Sequence, residues 1–146
     1  MNHAFEPHEL AHLPRAEFAF PGPLRDQLVE AILDGIKTST TSLKLEYERQ
    51  GESLPQVGDR SALIDSQDQL VAVLEITSVR VVPLAEVDLA HARDEGEGYE
   101  SIDQWRAAHE NFFHSPELRA AFNEPDFTTD ETTPVVLERF EVIHRL

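Results

Sequence analysis

The stretch Leu70–Val82, LVAVLEITSVRVV, constrains the fold more than any other part of the chain. Valine, isoleucine and threonine are stiff at χ1 and favour extended backbone, so a run this rich in them is predicted to be one long strand. It carries a single acid in its middle, Glu75, and Pro83 ends it. Arg60–Asp65 reads as a second strand. The polar Ser66-Gln67-Asp68-Gln69 between the two closes a hairpin.

The other elements follow from local spacing. Pro21-Gly22-Pro23 breaks the chain and opens a helix, since proline suits a first helical turn. Leu24, Leu28, Ala31, Ile32 and Leu33 form one apolar stripe along that helix, and Gly35 sits where a helix ends. Thr38 to Ser42 favour extended structure, and Leu43 to Gln50 a short helical turn. Beyond Pro83 comes a polar helical region, broken at Gly96 and Gly98. Ser101 caps a further helix with Ile102, Trp105, His109, Phe112 and Phe113 on one face. Phe122–Thr133 reads as an acidic, irregular loop, and Pro134–His144 as a final strand. The order predicts an α+β domain with a curled antiparallel sheet and helices on one side, its distant strands closing into a small barrel. Residues 1–17 are expected to form a flexible arm and 18–146 a single domain.

Composition excludes several functions. There is no cysteine, so disulfides, thiolate metal sites and cysteine nucleophiles are ruled out. The N-terminus lacks a secretory pattern and no stretch approaches the ~20 apolar residues of a membrane span, which together predict a cytoplasmic protein. The formal net charge is -16. Phosphate neutralisation by basic residues supplies most non-specific nucleic-acid affinity, so this chain does not hold a long duplex by bulk charge. A short single strand or one nucleotide in a local basic pocket stays compatible.

Against that acidity, Lys37 stands out. It is one of two lysines, follows Gly35, and precedes Thr38, Ser39, Thr40, Thr41 and Ser42. A lysine at such a junction can pack its stem and carry its amine into a pocket. Partial desolvation would lower its pKa and make it a base or nucleophile; left charged, it clamps a phosphate or an oxyanion. The hydroxyls beside it can donate to the same anion or attack, and Glu75 can orient the lysine. The plain alternative is a surface lysine beside an edge strand, with Glu75 facing outward.

At these residues the chain resembles a known family. Gly35-x-Lys37-x-x-Thr40 resembles the GxKxxT signature of the ASCH domain family. The likeness continues through Glu46-Tyr47-Glu48, Gly51-Glu52-x-Leu54-Pro55-x-Val57-Gly58-Asp59, Leu74–Val79, Glu95-Gly96-Glu97-Gly98, Trp105-Arg106-x-x-His109-x-x-Phe112-Phe113 and Pro134-Val135-Val136-x-Glu138-Arg139-Phe140. In order, these resemble the bacterial stand-alone branch. The resemblance implies a PUA-like fold, a small mixed β-barrel with flanking helices and a cleft, and RNA or nucleotide binding.

It also implies two chemistries. Some small bacterial members are amidohydrolases acting on N4-acylated cytidine, with a catalytic lysine, threonine and glutamate that carry over to Lys37, Thr40 and Glu75. Others cleave single-stranded RNA, which directs attention to Lys37, Tyr47 and a late-loop hydroxyl, Thr128 or Thr129. Many members carry arginine where this chain has Ser42, which removes a bidentate phosphate fork.

The sequence reading favours a hydrolase of single-stranded RNA, with N4-acylcytidine deacylation and non-catalytic RNA binding as alternatives. Lys37, Thr40, Glu75 and Tyr47 form the expected catalytic set. Thr38, Ser39, Ser42, Trp105, Arg106, His109 and Thr128 are the expected substrate contacts, Trp105 and His109 by stacking on and hydrogen-bonding a base, or else as a helix anchor and its satisfied polar neighbour. Lys37 would stabilise a charged phosphorane while Tyr47 or a histidine moves protons, or Thr40 would attack an acyl carbonyl with Lys37 as base. No cofactor is required by either scheme, though a divalent metal held by acids is an alternative. Asp126, Asp130 and Glu131 read as solvated acids, not as its ligands, and His3, His8 and His12 as at most adventitious chelators. Partners are single-stranded RNA or a nucleoside or nucleotide, no membrane, with the chain a monomer or homodimer.

Overall fold

The computed structural model describes residues 5–146. His3 and the start of the expected arm lie outside the described residues. In chain order the elements are α1 (Pro7–His12), β1 (Arg15–Ala16), α2 (Pro23–Leu33), β2 (Ser39–Leu43), α3 (Lys44–Gln50), β3 (Arg60–Ile64), β4 (Leu70–Pro83), a 3₁₀ turn (Leu84–Glu86), α4 (Leu89–Asp94), α5 (Ile102–Phe113), α6 (Pro116–Phe122) and β5 (Pro134–Arg145). The strands form one five-stranded mixed sheet in the order β1-β3-β4-β5-β2. The α+β class agrees with the sequence reading. The sheet is open, however, where a closed barrel was expected. Strand β1, two residues long, offers too short a ladder to act as a closing edge.

The chain divides into two compact units. The first comprises the described residues up to Thr38, Pro55–Val79 and Glu138–Leu146. Its core gathers Val29 and Ile32 of α2, Leu63, Ala72, Leu74 and Phe140. The predicted hairpin forms in register, with Arg60 opposite Glu75 and Ala62 opposite Val73. Its turn is held by the Asp65 carboxylate, which accepts the N–H groups of Gln67 and Gln69, each at 2.9 Å. Phe18-Ala19-Phe20 is held outside any regular element. The buried Arg25 takes the carbonyls of Phe18 (3.2 Å) and Ala19 (2.8 Å), and Ala19 adopts a left-handed φ of 59°.

The end of α2 aims the chain toward the motif. Gly35 takes φ 77°, its N–H donates to Ile32 O at 3.1 Å, and the Ile36 N–H reaches back to Ala31 O at 2.9 Å. This glycine-ended stop satisfies the orphan carbonyls of the last turn and leaves Lys37 at its exit.

The second unit comprises Ser39–Leu54 and Arg80–Leu137. Leu43, Leu84, Trp105, Phe113, Leu118, Phe122, Val135 and Leu137 form its core. Helix α6, which the sequence reading left unassigned, is capped by the Ser115 hydroxyl on Leu118 N–H at 3.2 Å and packs Leu118 and Phe122 inward. Ser101 caps α5 as predicted, accepting the Gln104 N–H at 3.2 Å. Helix α3 begins with the Glu46 carboxylate accepting the Leu43 N–H at 2.7 Å. Among the described residues no helix is long and apolar enough to cross a membrane.

Burial pushes the Glu46 carboxyl up, against the smaller lowering effect of the Leu43 N–H. The fold therefore binds this proton more tightly than the unfolded chain does. Its contribution to stability falls as pH rises from the ordinary value of 4.5 through the raised one. Glu46→Gln keeps an oxygen for the Leu43 N–H and removes the desolvated charge. It is expected to melt above the parent at pH 7 and level with it at pH 4. An equal difference at both pH values in thermal melts would contradict this account.

Candidate functional site

Lys37 is 2% exposed, with its Nζ 5.8 Å from the centre of the Phe18 ring. The plain surface-lysine reading is therefore wrong. Its stem packs in the first unit, as a lysine entering a pocket requires. A cavity of about 740 Å³ opens here, lined by Ile32, Lys37, Thr38, Phe140, His144 and Arg145 among others. That volume falls in the range of small-molecule sites, roughly 300–1,000 Å³. The Thr38 carbonyl accepts the Phe140 N–H at 3.2 Å, which fixes the motif segment against β5. One wall is apolar, and the polar groups Lys37, Thr38, His144 and Arg145 lie around it.

His144 and Arg145 escaped the sequence reading, which treated β5 only as a closing strand. The available signal was a histidine–arginine pair at the end of the last strand of a chain with few cations. Glu75 sits on β4 across from Arg60, whose Nε donates to its carboxylate at 2.9 Å. Thr40 and Ser42 lie half-buried on β2, and Tyr47 half-buried on α3.

The second unit contains a denser polar constellation. Glu95, just after α4, is only 1% exposed. Its Oε2 accepts the Trp105 indole N–H at 2.6 Å and the Thr41 hydroxyl at 2.9 Å, and His109 Nε2 lies 3.0 Å from its Oε1. Thr41 Oγ1 also meets His91 Nε2 at 2.8 Å, and the buried Ser39 hydroxyl donates to the His91 carbonyl at 2.9 Å. A buried carboxylate is costly unless its lone pairs are engaged, and the Trp105 and Thr41 donors engage those of Oε2.

Several expected substrate contacts change meaning here. Trp105 is 0% exposed, so it presents no face for a base. Its ring stacks on His109, with centroids 4.2 Å apart, and its N–H serves Glu95. Ser39 is buried as well. The Arg106 guanidinium engages Glu110 and Glu131, the latter at 3.0 Å. Thr128 is exposed, and its neighbour Thr129 meets His114 Nε2 through both N–H and hydroxyl. In the late loop, hydrogen bonds from Thr132 hold the Asp130 carboxyl below its usual range. The group able to hold a metal lies elsewhere, at Glu95, Glu97 and His109. Glu95 and Glu97 are two residues apart, but His109 lies far along the chain and was expected as a substrate contact, not as a metal ligand.

Thr41→Val keeps the shape of the side chain and deletes the hydroxyl that joins Glu95 and His91. The expected cost is about 1–3 kcal/mol, since buried acceptors lose a donor. Urea denaturation measures it, and an unchanged midpoint would refute the importance given to this hydroxyl.

A family model for the ASCH domain matches residues 17–144. An ASCH domain from Lactobacillus crispatus JV V101 is similar at 29% identity over 90% of this chain and 80% of its own, with a TM-score of 0.77. A protein from Enterococcus faecalis V583 is similar at 26% identity over 88% of this chain and 75% of its own, with a TM-score of 0.76. An ASCH protein from Zymomonas mobilis shares the fold at 11% identity and a TM-score of 0.51, over 82% of this chain and 64% of its own. No curated protein matches the chain. The chain belongs to the ASCH domain family, which is PUA-like and associated with RNA binding.

Proposed function

We propose that the protein binds a short single-stranded RNA segment in the Lys37 cleft and cleaves it. The observation that carries this reading is the cleft itself, where Lys37, His144 and Arg145 line one cavity of about 740 Å³ in a chain of net charge -16. The local set attracts one or two phosphates, while the acidic remainder repels a long polyanion. In this reading His144 removes the 2′-hydroxyl proton, the 2′-oxygen attacks phosphorus, and the bond to the 5′-oxygen breaks. The same ring returns the proton to the leaving oxygen, giving a 2′,3′-cyclic phosphate. Lys37 and Arg145 offset the charge that builds on the phosphorane. Tyr47, which the family resemblance assigns to proton transfer, is the competing proton carrier, and Tyr47→Phe tests it.

A second reading is deacylation of an N4-acylcytidine nucleoside, with Thr40 as nucleophile and Lys37 and Glu75 in support. The apolar wall of Ile32, Leu33, Phe140 and Val142 favours it, because an uncharged nucleoside is not repelled by an acidic protein.

Purified protein incubated with single-stranded RNA is expected to release cyclic-phosphate ends. Lys37→Ala should lower the rate by roughly 10²-fold or more, as loss of a transition-state cation does. His144→Gln should likewise lower the rate by roughly 10²-fold or more, as loss of a general base does. RNA turnover that persists in Lys37→Ala would overturn this reading. Release of cytidine from N4-acetylcytidine, lost in Thr40→Val, would put the second reading in its place.

A further inference from the structure

The surroundings of His109 demand a positive centre beside it. Its Nδ1 lies 3.0 Å from the Trp105 carbonyl oxygen. A carbonyl only accepts, so Nδ1 carries the hydrogen, and Nε2 of the neutral ring is a lone pair. That lone pair points at Glu95 Oε1, 3.0 Å away. The other Glu95 oxygen is already taken by Trp105 and Thr41. Two electron-rich atoms therefore face each other, and either a proton or a metal ion must lie between them.

A third ligand tips the balance to a metal. A carboxylate oxygen of Glu97 joins Glu95 and His109, with all three ligand atoms within 4.8 Å of one another. A shared proton has no use for a third acceptor. Glu97 is presented by a turn whose flanking glycines, Gly96 (φ 75°) and Gly98 (φ 85°), both take the left-handed conformation. The histidine also has the support usual for a metal ligand, its second nitrogen donating to a backbone carbonyl. Two atoms held cis at about 2.1 Å from one octahedral ion lie about 3.0 Å apart, which matches the Oε1–Nε2 separation.

We propose that Glu95, Glu97 and His109 bind one divalent first-row transition ion, with water completing its coordination. One imidazole and two carboxylates suit Mn²⁺ or Zn²⁺ better than Mg²⁺.

The test is titration of the full chain with Mn²⁺ and, separately, Zn²⁺, by calorimetry and by Mn²⁺ spin resonance. His3, His8 and His12 are replaced by Gln throughout, so that the N-terminal histidines do not contribute. The parent is expected to bind one equivalent of at least one ion and to gain thermal stability with it. Glu97→Gln, at an exposed position, should melt like the metal-free parent and bind at least about 10-fold more weakly. Absence of stoichiometric binding of either ion, or equal affinity in the two proteins, would overturn the proposal and leave a shared proton between Glu95 and His109.

Discussion

The buried Glu95 carboxylate organises the second unit. It collects the Thr41 hydroxyl from β2 and the Trp105 and His109 rings from α5, while itself following α4. An uncompensated carboxylate in such a place would cost several kcal/mol. Each donor is therefore under constraint, in identity and in position. Leu43, Trp105 and Phe113 pack around this polar centre, so the apolar core and the hydrogen-bond network fix the same geometry. The asymmetry is that a partly dismantled network costs more than its pairwise contacts suggest.

The first unit solves a different problem. It keeps a cation out of water, with Lys37 over the Phe18 ring and beside the apolar residues of the cleft. On the function proposed for it, the acidity elsewhere in the chain would oppose long polyanions while the cleft's own cations attract a single phosphate.

The pattern of apolar and β-branched residues carried most of the fold. The hairpin and the Ser101 cap arise from local rules and are seen, whereas α2 buries Arg25, Val29 and Ile32 and leaves Leu24 exposed, so only part of its predicted stripe faces the core. Sheet closure was misread because it depends on where distant edges lie, and β1 was too short to leave a pattern. The site was legible only in part. Lys37 was conspicuous because it breaks the local chemistry. His144 and Arg145 were not, because their proximity to Lys37 is tertiary. Trp105 stayed between two readings in the sequence, because an aromatic beside a histidine on one helix face looks the same whether it stacks on a base or anchors a core. Only the depth of burial separates the two.

The glycine that ends α2 has a bearing on how relatives of this chain are recognised. A Cβ at Gly35 would meet no atom within 4 Å, so crowding at that atom does not exclude a substitution. What the position requires is its backbone angle, φ 77°. Asparagine adopts that region at modest cost, and the lysine would leave the helix on the same path. The signature that marks this family is thus one spelling of a turn geometry. Chains that write asparagine there preserve the same exit for the lysine while failing any search that insists on the glycine.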